Sequence, residues 1–481
     1  MTFNSLVFAA FLPVVFCLYW FVFGRNLKWQ NLFVVAASYV FYGWWDWKFL
    51  ILIAITSFFS WVSGLLIYKY KDERRKARWI SAANIILNLG ILGLFKYYDF
   101  FAQSFADLFL GGKADGILLH LILPVGISFY TFQALSYSID VYRGKIEPTR
   151  DIIQFFAYVS FFPQLVAGPI ERATNLLPQF AQKRVFDYSQ GVDGLRQILW
   201  GYFKKIVIAD WCGVYVDEVF SDIPGHDGVR LAVAAVLFAF QIYGDFSGYS
   251  DIAIGTAKLF GIKLMRNFAT PYFSRDIAEF WRRWHISLTT WFRDYVYIPM
   301  GGSRRSKARV ALNTMVIFLV SGFWHGANWT FLAWGAFHAL LFLPLILTGN
   351  NRKYKEIVAE DRRLPNLKEF GQIVLTFVLV TVGWVIFRAD NLPQAWSFFA
   401  GLFHGNSLDD LKFFGNMTFL SRAVWIFVML LVEWVDRREE HGLSMRNTRC
   451  RAVRYAIYFA VILVTMLYFD DGSPKFIYFQ F

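Results

Sequence analysis

The sequence is poor in charge and has no long polar stretches. Only 17% of its 481 residues are charged, whereas a soluble domain is about a quarter charged. The intervals between its apolar segments are too short to fold as a large soluble domain. Water is therefore not the main solvent that we expect for this chain, and a soluble globular protein is excluded.

Cysteine is also scarce. The three cysteines, Cys17, Cys212 and Cys450, lie far apart in the sequence. None belongs to a CxxC pair or to a Cys/His cluster with the spacing of a zinc site. We therefore expect neither a disulfide bond nor a bound metal ion.

Apolar residues dominate what is present, with 57% of the chain hydrophobic and 20% aromatic. Segments of about 20 apolar residues, the length that crosses a bilayer, recur from residues 5–23 to residues 455–469. The first of them lacks the basic start and the cleavage site of a signal peptide, so we expect it to remain as a membrane helix. The sequence predicts an all-α polytopic membrane protein with about 11 to 13 transmembrane helices.

The basic residues, which give a formal net charge of +13, cluster in short loops between apolar segments. Loops of this kind stay on the cytoplasmic side of a membrane. Membrane topology thus explains the positive net charge, and no nucleic-acid partner is needed to explain it. Counting the spans from these loops places both termini in the periplasm. The loops are residues 69–78, 303–309, 352–363 and 437–454.

The middle of the chain, residues 124–325, is repeatedly interrupted by Gly, Pro and charged residues. Examples are FFPQLVAGPIER at 161–172 and YGDFSGYSD at 243–251. Polar or broken backbone at membrane depth is tolerated only where protein or water surrounds it. This region is therefore predicted to line a cavity or to form re-entrant segments. The sequence has no 20–50-residue repeat and no inverted halves, which disfavours an ordinary secondary transporter.

Three histidines lie in constrained places. His285 belongs to residues 280–300, where helical spacing would put it on one face with Trp281, Leu288 and Phe292; a packed aromatic helix explains this stripe equally well. His325 occupies a glycine-flanked break in SGFWHGANW at 321–329, where glycine permits close approach of a backbone or substrate. A desolvated imidazole stays neutral, as a general base must, although a helix-capping role is the alternative.

The remaining histidine of interest, His338, lies within the apolar segment that follows His325. We expect it to hydrogen-bond a neighbouring helix.

Five stretches resemble the membrane-bound O-acyltransferase (MBOAT) family and, within it, the membrane subunits of alginate O-acetylation. The resemblance covers essentially the whole chain. It implies one integral membrane domain, residues 1–481, with a catalytic core at 124–345 and many tilted helices around a thin partition pierced by a tunnel. It also implies that His325 is the catalytic histidine and that His285 is the second one. The stretches are residues 161–180, 243–255, 280–302, 323–331 and 383–402.

The resemblance implies transfer of an acyl group, acetyl, from a cytoplasmic thioester donor across the bacterial inner membrane. The acceptor would be an extracytoplasmic polysaccharide such as alginate, reached with periplasmic acetyltransferase partners, and acetyl-CoA would be a substrate with no cofactor bound. Relatives also use long-chain acyl-CoA or a D-alanyl carrier thioester, so the donor stays open. D-alanyl or other acyl transfer to a cell-wall polymer is therefore one alternative function. A channel or exporter with gating histidines is the alternative from another class.

Basic side chains near His285 suggest where a donor would dock. Arginines on the cytoplasmic side could attract the phosphates of CoA or of a carrier, although positive-inside topology explains the same residues equally well. His325 would then act as general base on an acceptor hydroxyl, while His285 orients that group or polarises the thioester carbonyl. The arginines are Arg282, Arg283, Arg293, Arg304 and Arg305.

The aromatic C-terminus, FIYFQF at residues 476–481, allows two interpretations. Aromatic residues beside a span commonly form an interfacial belt. The tail resembles the end of a small partner protein of the D-alanyl relatives, which implies that Tyr478 could face His325 and act as a covalent acyl relay.

Overall fold

The computed structural model describes residues 1–113, 116–166, 168–405, 417–446, 448, 450–470 and 476–477. Every regular element within these ranges is a helix, which confirms the all-α prediction. In chain order the first ten are α1 (Leu6–Cys17), α2 (Leu27–Gly43), α3 (Phe49–Lys69), α4 (Arg74–Leu92), α5 (Tyr98–Phe109), α6 (Ile127–Tyr142), α7 (Ile152–Ser160), α8 (Phe162–Leu165), α9 (Ala173–Ala181) and α10 (Tyr188–Tyr202).

The second half of the chain continues the helical series. It contains α11 (Asp210–Ser221), α12 (Gly228–Leu259), α13 (Ile277–Arg283), α14 (Ile286–Phe292), α15 (Lys307–His325), α16 (Trp329–Leu347), α17 (Leu367–Arg388), α18 (Leu392–Gly401), α19 (Met417–Val435) and α20 (Arg451–Leu467). Wider π-helical turns occur at Leu18–Val22, Gly93–Tyr97, Phe203–Ala209 and Arg293–Tyr297, and short 3₁₀ turns at Ile223–Gly225 and Pro271–Phe273.

Six of the described helical segments are long and apolar enough to cross a membrane, which confirms a multi-pass membrane protein. They are Phe49–Lys69, Arg74–Phe109, Gly228–Leu259, Lys307–His325, Trp329–Leu347 and Leu367–Arg388. Six is fewer than the 11 to 13 spans predicted, because several apolar stretches form helices too short to count as spans. The first of these shorter helices is Leu6–Val22, with 17 residues.

The described residues form two compact units. One comprises Met1–Leu195 with Ala253–Met265, and the other comprises Arg196–Ile252 with Arg266–Phe481. The single-domain organisation with a core at 124–345 stays a prediction. Both histidines that the sequence singles out lie in the second unit.

Short helices replace long ones in the middle of the chain. The helices α7, α8, α9, α13 and α14 have between four and nine residues, much less than the roughly 20 that cross a bilayer. Their side chains are largely buried in protein. This agrees with the prediction of broken segments around 161–172. The predicted interruption at 243–251 is wrong, because α12 runs unbroken through it; its polar residues are accommodated because most of this helix is buried in protein.

Two glycines bring α15 and α16 into close contact. A Cβ atom on Gly322 would lie 2.2 Å from the carbonyl oxygen of Phe331, and one on Gly335 would lie 2.3 Å from that of Phe318. Small residues permit such backbone approach between membrane helices. Asn328 caps α16 by accepting a hydrogen bond from the Thr330 N–H at 3.0 Å. The hairpin therefore fixes the position of His325, the last residue of α15.

Candidate active site

His325 ends α15 inside an aromatic enclosure. Its side chain is buried, and its ring lies edge-on to those of Trp324, Trp334 and Phe387 at centroid distances of 5.0, 5.2 and 5.4 Å. Aromatic packing of this kind holds the imidazole in one orientation and keeps water away. The predicted break is present, because Gly326 leaves the helix in an extended conformation.

His285 lies where the predicted helix at 280–300 is interrupted, and the continuous-helix interpretation is therefore wrong here. The helix α13 ends at Arg283, and His285 adopts the left-handed conformation, with φ 44° and ψ 54°, before α14 begins. This conformation costs a non-glycine residue about 1–2 kcal/mol. Two backbone hydrogen bonds to the segment 267–269 offset this conformational cost. The Ile286 N–H donates to the carbonyl oxygen of Asn267, and the Ala269 N–H donates to that of Arg283, each at 2.9 Å.

Asn267 fixes the protonation pattern of His285. The backbone N–H and the hydroxyl of Ser287 both donate to Asn267 Oδ1, at 3.3 and 2.9 Å, so that atom acts as an acceptor. His285 Nδ1 lies 3.1 Å from the same oxygen and must therefore carry the proton in this bond. The lone pair is then on Nε2, which has no hydrogen-bond partner among the described residues.

Both histidines line one chamber of about 220 Å³, with their ring centroids 6.4 Å apart. Trp281, Leu288 and Phe292 line the same chamber, so the predicted shared face with His285 holds although the helix is broken. Burial lowers the pKa of His285 to about 3, which keeps it neutral at physiological pH. The chamber thus contains His285, which burial keeps uncharged, and a second buried imidazole, that of His325; an uncharged imidazole is the form that abstracts a proton from a hydroxyl.

One end of the chamber is polar and open to solvent. Arg293, Ser303 and Arg352 line this end and are exposed, whereas the two histidines lie at the buried end. Apolar side chains, including Phe318, form the walls between the two ends. A ligand with an anionic head and a reactive end held on an apolar stem fits this arrangement. The described residues contain no group of three or more His, Cys, Asp or Glu that could hold a metal ion.

Of the five arginines predicted to bind a donor, the structure brings only Arg293 to the chamber. Arg282 donates to the carbonyl oxygens of Asn351 and Tyr354. Arg283 forms an ion pair with Glu279 at 2.8 Å.

The other two predicted arginines, Arg304 and Arg305, are exposed and are not among the residues that line the chamber. Sequence reasoning missed Arg352, because it was counted only as part of a basic loop that marks topology. The contact between Arg282 and the carbonyl of Asn351 orders the start of the loop that carries Arg352.

His338 does not make the predicted hydrogen bond to a neighbouring helix. Neither of its ring nitrogens has a hydrogen-bond partner among the described residues. Its ring instead packs against Trp281 and Trp334, each at a centroid distance of 5.0 Å. A Cβ atom on Gly383 would lie only 2.7 Å from Nε2, so tight packing leaves no space for a polar partner on that side.

Tyr478, the predicted acyl relay, lies outside the described residues. Its neighbours Phe476 and Ile477 are described, and both are buried, with exposures of 0% and 3%. A belt at the membrane surface would leave such side chains exposed to lipid. The belt interpretation therefore does not apply to these two residues.

The site thus consists of two buried imidazoles at the closed end of a chamber whose open end is basic. In a polytopic membrane protein, this arrangement is suited to proton abstraction from a hydroxyl. The model of MBOAT, the membrane-bound O-acyltransferase family, matches residues 146–379. The chain is 41% identical to "Probable alginate O-acetylase AlgI" of Pseudomonas aeruginosa, over 94% of this chain and 84% of the relative.

Two further relatives support the same assignment. The protein of the same name from Pseudomonas putida is 35% identical over the full length of both chains. "Peptidoglycan O-acetyltransferase" of Helicobacter pylori is 35% identical over 83% of this chain and 79% of the relative. The chain therefore belongs to the membrane-bound O-acyltransferase family and is an O-acyltransferase.

Replacing Asn267 by leucine is expected to lower kcat by about tenfold, the lower part of what a positioned acid or base contributes. The Nδ1 proton of His285 loses its acceptor, and the ring is free to change tautomer. The measurement is acyl transfer as a function of pH, with Ser250→Ala as the matched control, since the Ser250 hydroxyl accepts a hydrogen bond from Asn267 Nδ2 at 3.1 Å and not from the imidazole. Equal rates and pH profiles for Asn267→Leu and the parent would contradict the positioning role.

Proposed function

We propose that this O-acyltransferase transfers acetyl from acetyl-CoA in the cytoplasm, across the bacterial inner membrane, to an extracytoplasmic polysaccharide such as alginate. The observation that carries the proposal is the chamber, which joins a basic mouth to two buried histidines. The names of the relatives from Pseudomonas favour acetyl as the acyl group and alginate as the acceptor.

The direction of transfer follows from the predicted topology. Ser303 and Arg352 at the chamber mouth belong to the basic loops 303–309 and 352–363. Loops with this composition stay on the cytoplasmic side, so the mouth faces the cytoplasm in this proposal. The donor enters there, and the acceptor hydroxyl approaches the histidines from the opposite side, with both chain termini in the periplasm.

In the proposed mechanism His325 takes the proton from the acceptor hydroxyl as its oxygen attacks the thioester carbonyl. A new C–O bond forms, the C–S bond breaks, and the departing thiolate recovers the proton from the His325 imidazolium. His285 presents a lone pair at Nε2 and cannot donate a hydrogen bond from that atom. Of its two predicted roles, polarising the carbonyl is therefore disfavoured. Orienting the acceptor remains: the incoming hydroxyl donates to His285 Nε2 and gives up this hydrogen bond when its proton passes to His325.

The donor phosphates are expected to contact Arg293 and Arg352. Replacing Arg352 by alanine is expected to raise KM for acetyl-CoA by about tenfold with little change in kcat, the cost of losing one charge-assisted hydrogen bond. Initial rates at varied donor concentration measure the effect. Arg304→Ala is the matched control, because Arg304 is also exposed but does not line the chamber. If both variants raise KM equally, general charge attraction explains the result and a phosphate contact at Arg352 does not.

Labelled acetyl-CoA incubated with the purified protein in detergent separates this proposal from a channel or exporter. The acyltransferase releases CoA and moves the label to a hydroxyl acceptor, and both effects vanish in His325→Ala. A channel or exporter moves polysaccharide without any acyl donor. Absence of CoA release by the parent protein with every acyl thioester tried would contradict the proposal.

Tyr478 is proposed to relay the acyl group to periplasmic acetyltransferase partners. Its hydroxyl would attack the thioester, giving an aryl ester whose phenolate is a good leaving group in the second transfer. Burial of Phe476 and Ile477 supports a tail that turns into the protein.

For Tyr478→Phe we expect complete loss of polymer acetylation, together with loss of an acetylated C-terminal peptide in mass spectrometry. The parent protein with added donor is the reference. Polymer acetylation that survives this substitution would refute the relay.

A further inference from the structure

A buried charge cluster in the second unit has no part in the chamber. Lys205 forms ion pairs with Asp210 at 2.7 Å and with Asp245 at 2.8 Å, and all three residues are buried. When all three side chains are ionised, one ammonium faces two carboxylates, and the cluster has a net negative charge. Buried charges are costly unless hydrogen bonds satisfy them, so the cluster favours contact with an additional donor.

That donor comes from the C-terminal segment. The backbone N–H of Ile477 donates to Asp245 Oδ2 at 2.6 Å, in a fully buried contact. A carboxylate that accepts a backbone N–H forms a charge-assisted hydrogen bond, which is stronger than one between neutral groups. Because the donor is a main-chain atom, this contact depends on the path of the chain and not on the side chain at residue 477.

The neighbouring residue adds an aromatic anchor. Phe476 has 0% exposure, and its ring centroid lies 4.2 Å from that of Tyr249 and 6.0 Å from that of Phe246. Phe246 in turn lies edge-on to His285 at 4.7 Å. The segment is thus linked to His285, at the chamber, through the ring of Phe246.

We propose that the cluster of Lys205, Asp210 and Asp245 is a docking site for the chain's own C-terminal segment, and that the docked segment positions His285. Asp245 binds the Ile477 N–H, and Phe476 fills the space beside Phe246. Removing Phe476 would leave a void in a packed region, into which neighbouring side chains relax. Phe246 would then no longer hold the imidazole of His285 from that side. Phe476, Ile477 and Asp245 act as positioning residues and touch no substrate.

The substitution Ile477→Pro tests the docking contact, because proline has no backbone N–H. Ile477→Val is the matched control, since it keeps the N–H and is similar in size to proline. Hydrogen exchange of the C-terminal peptide, measured by mass spectrometry on the full-length protein, is expected to accelerate about tenfold or more in the proline variant and to stay near the parent rate in the valine variant. Equal exchange in the two variants would overturn the docking contact.

A double-mutant cycle assigns the effect to Asp245. In Asp245→Asn the charge is lost, so adding Ile477→Pro is expected to accelerate exchange less than it does in the parent. If Ile477→Pro accelerates exchange by the same factor in Asp245→Asn as in the parent, the role of Asp245 is overturned. Should Asp245→Asn fail to reach the membrane, Phe476→Ala replaces it and is expected to expose the same peptide; a protected peptide in that variant overturns the anchor.

The positioning of His285 by the docked segment rests on the proposed function and is tested separately, by the kcat of acyl transfer. Ile477→Pro is expected to lower kcat for acyl transfer at least about threefold with KM for the donor unchanged, whereas Ile477→Val keeps the parent kcat, a difference of the size expected for one packing contact. Parent-like kcat in a variant whose peptide is exposed would refute the positioning of His285. If the parent itself transfers no acyl group, the proposed function fails, while the exchange result still decides the docking.

Discussion

His325→Ala is expected to lower acyl transfer by about 10²–10⁴-fold, the contribution of a general base, with the protein still present in the membrane at parent levels. Alanine removes the group that takes the hydroxyl proton, and the aromatic rings around it offer no replacement base. Transfer from labelled acetyl-CoA by purified protein measures the loss, and detergent extraction with size-exclusion chromatography measures folding.

The matched control is His338→Leu, which removes another buried histidine of the same helix hairpin. His338 has no hydrogen-bond partner among the described residues and lies among aromatic rings, so an apolar side chain of similar size suits its site. We expect transfer within about twofold of the parent, since a volume-conserving change in the core is tolerated. If His325→Ala is lost from the membrane while His338→Leu is not, His325 is a packing residue and the catalytic assignment is wrong.

His285→Ala is expected to lower acyl transfer at least roughly tenfold, a modest part of one acid–base or orienting contribution. His285 lines the chamber and has a lone pair on Nε2 without a partner among the described residues, and alanine leaves no side-chain acceptor at this position to orient the hydroxyl. The loss should appear in kcat, with KM for the donor unchanged, because the predicted phosphate contacts lie at the other end of the chamber. Transfer close to that of the parent would rule out a direct role for His285.

The helical, multi-pass architecture could be predicted from the sequence because the length of an apolar segment is a local property. Helices such as α16 and α17 follow directly from their hydropathy. The break at His325 was also predictable, since Gly326 and the cap residue Asn328 are adjacent in the sequence.

The geometry around His285 could not be predicted from local sequence. Helical periodicity predicts a continuous helix at 280–300, but hydrogen bonds to Asn267, distant in sequence, stabilise a left-handed residue there. The side chain of Asn267 also selects the tautomer of His285, because its Oδ1 atom accepts the proton on Nδ1. Tertiary pairing thus overrides local propensity, as it commonly does at functional sites.

The basic residues were predicted as a group but not individually. Composition does not distinguish one arginine of this region from another. Three-dimensional packing separates Arg293 and Arg352, which line the chamber, from Arg282 and Arg283, which bind loop carbonyls and Glu279. Burial of Phe476 was likewise not predictable, because an aromatic tail beside a span is compatible with either lipid or protein contact.

The central claim is that the chamber between His285 and His325 is where the acyl group is transferred. A structure determined by electron cryomicroscopy with a non-reactive thioether analogue of acetyl-CoA tests it most directly. We expect the carbon that replaces the thioester carbonyl to lie within about 4 Å of an imidazole nitrogen, a little beyond hydrogen-bond reach, and the phosphates to lie beside Arg293 and Arg352. Analogue bound elsewhere, with the chamber empty at saturating concentration, would contradict it.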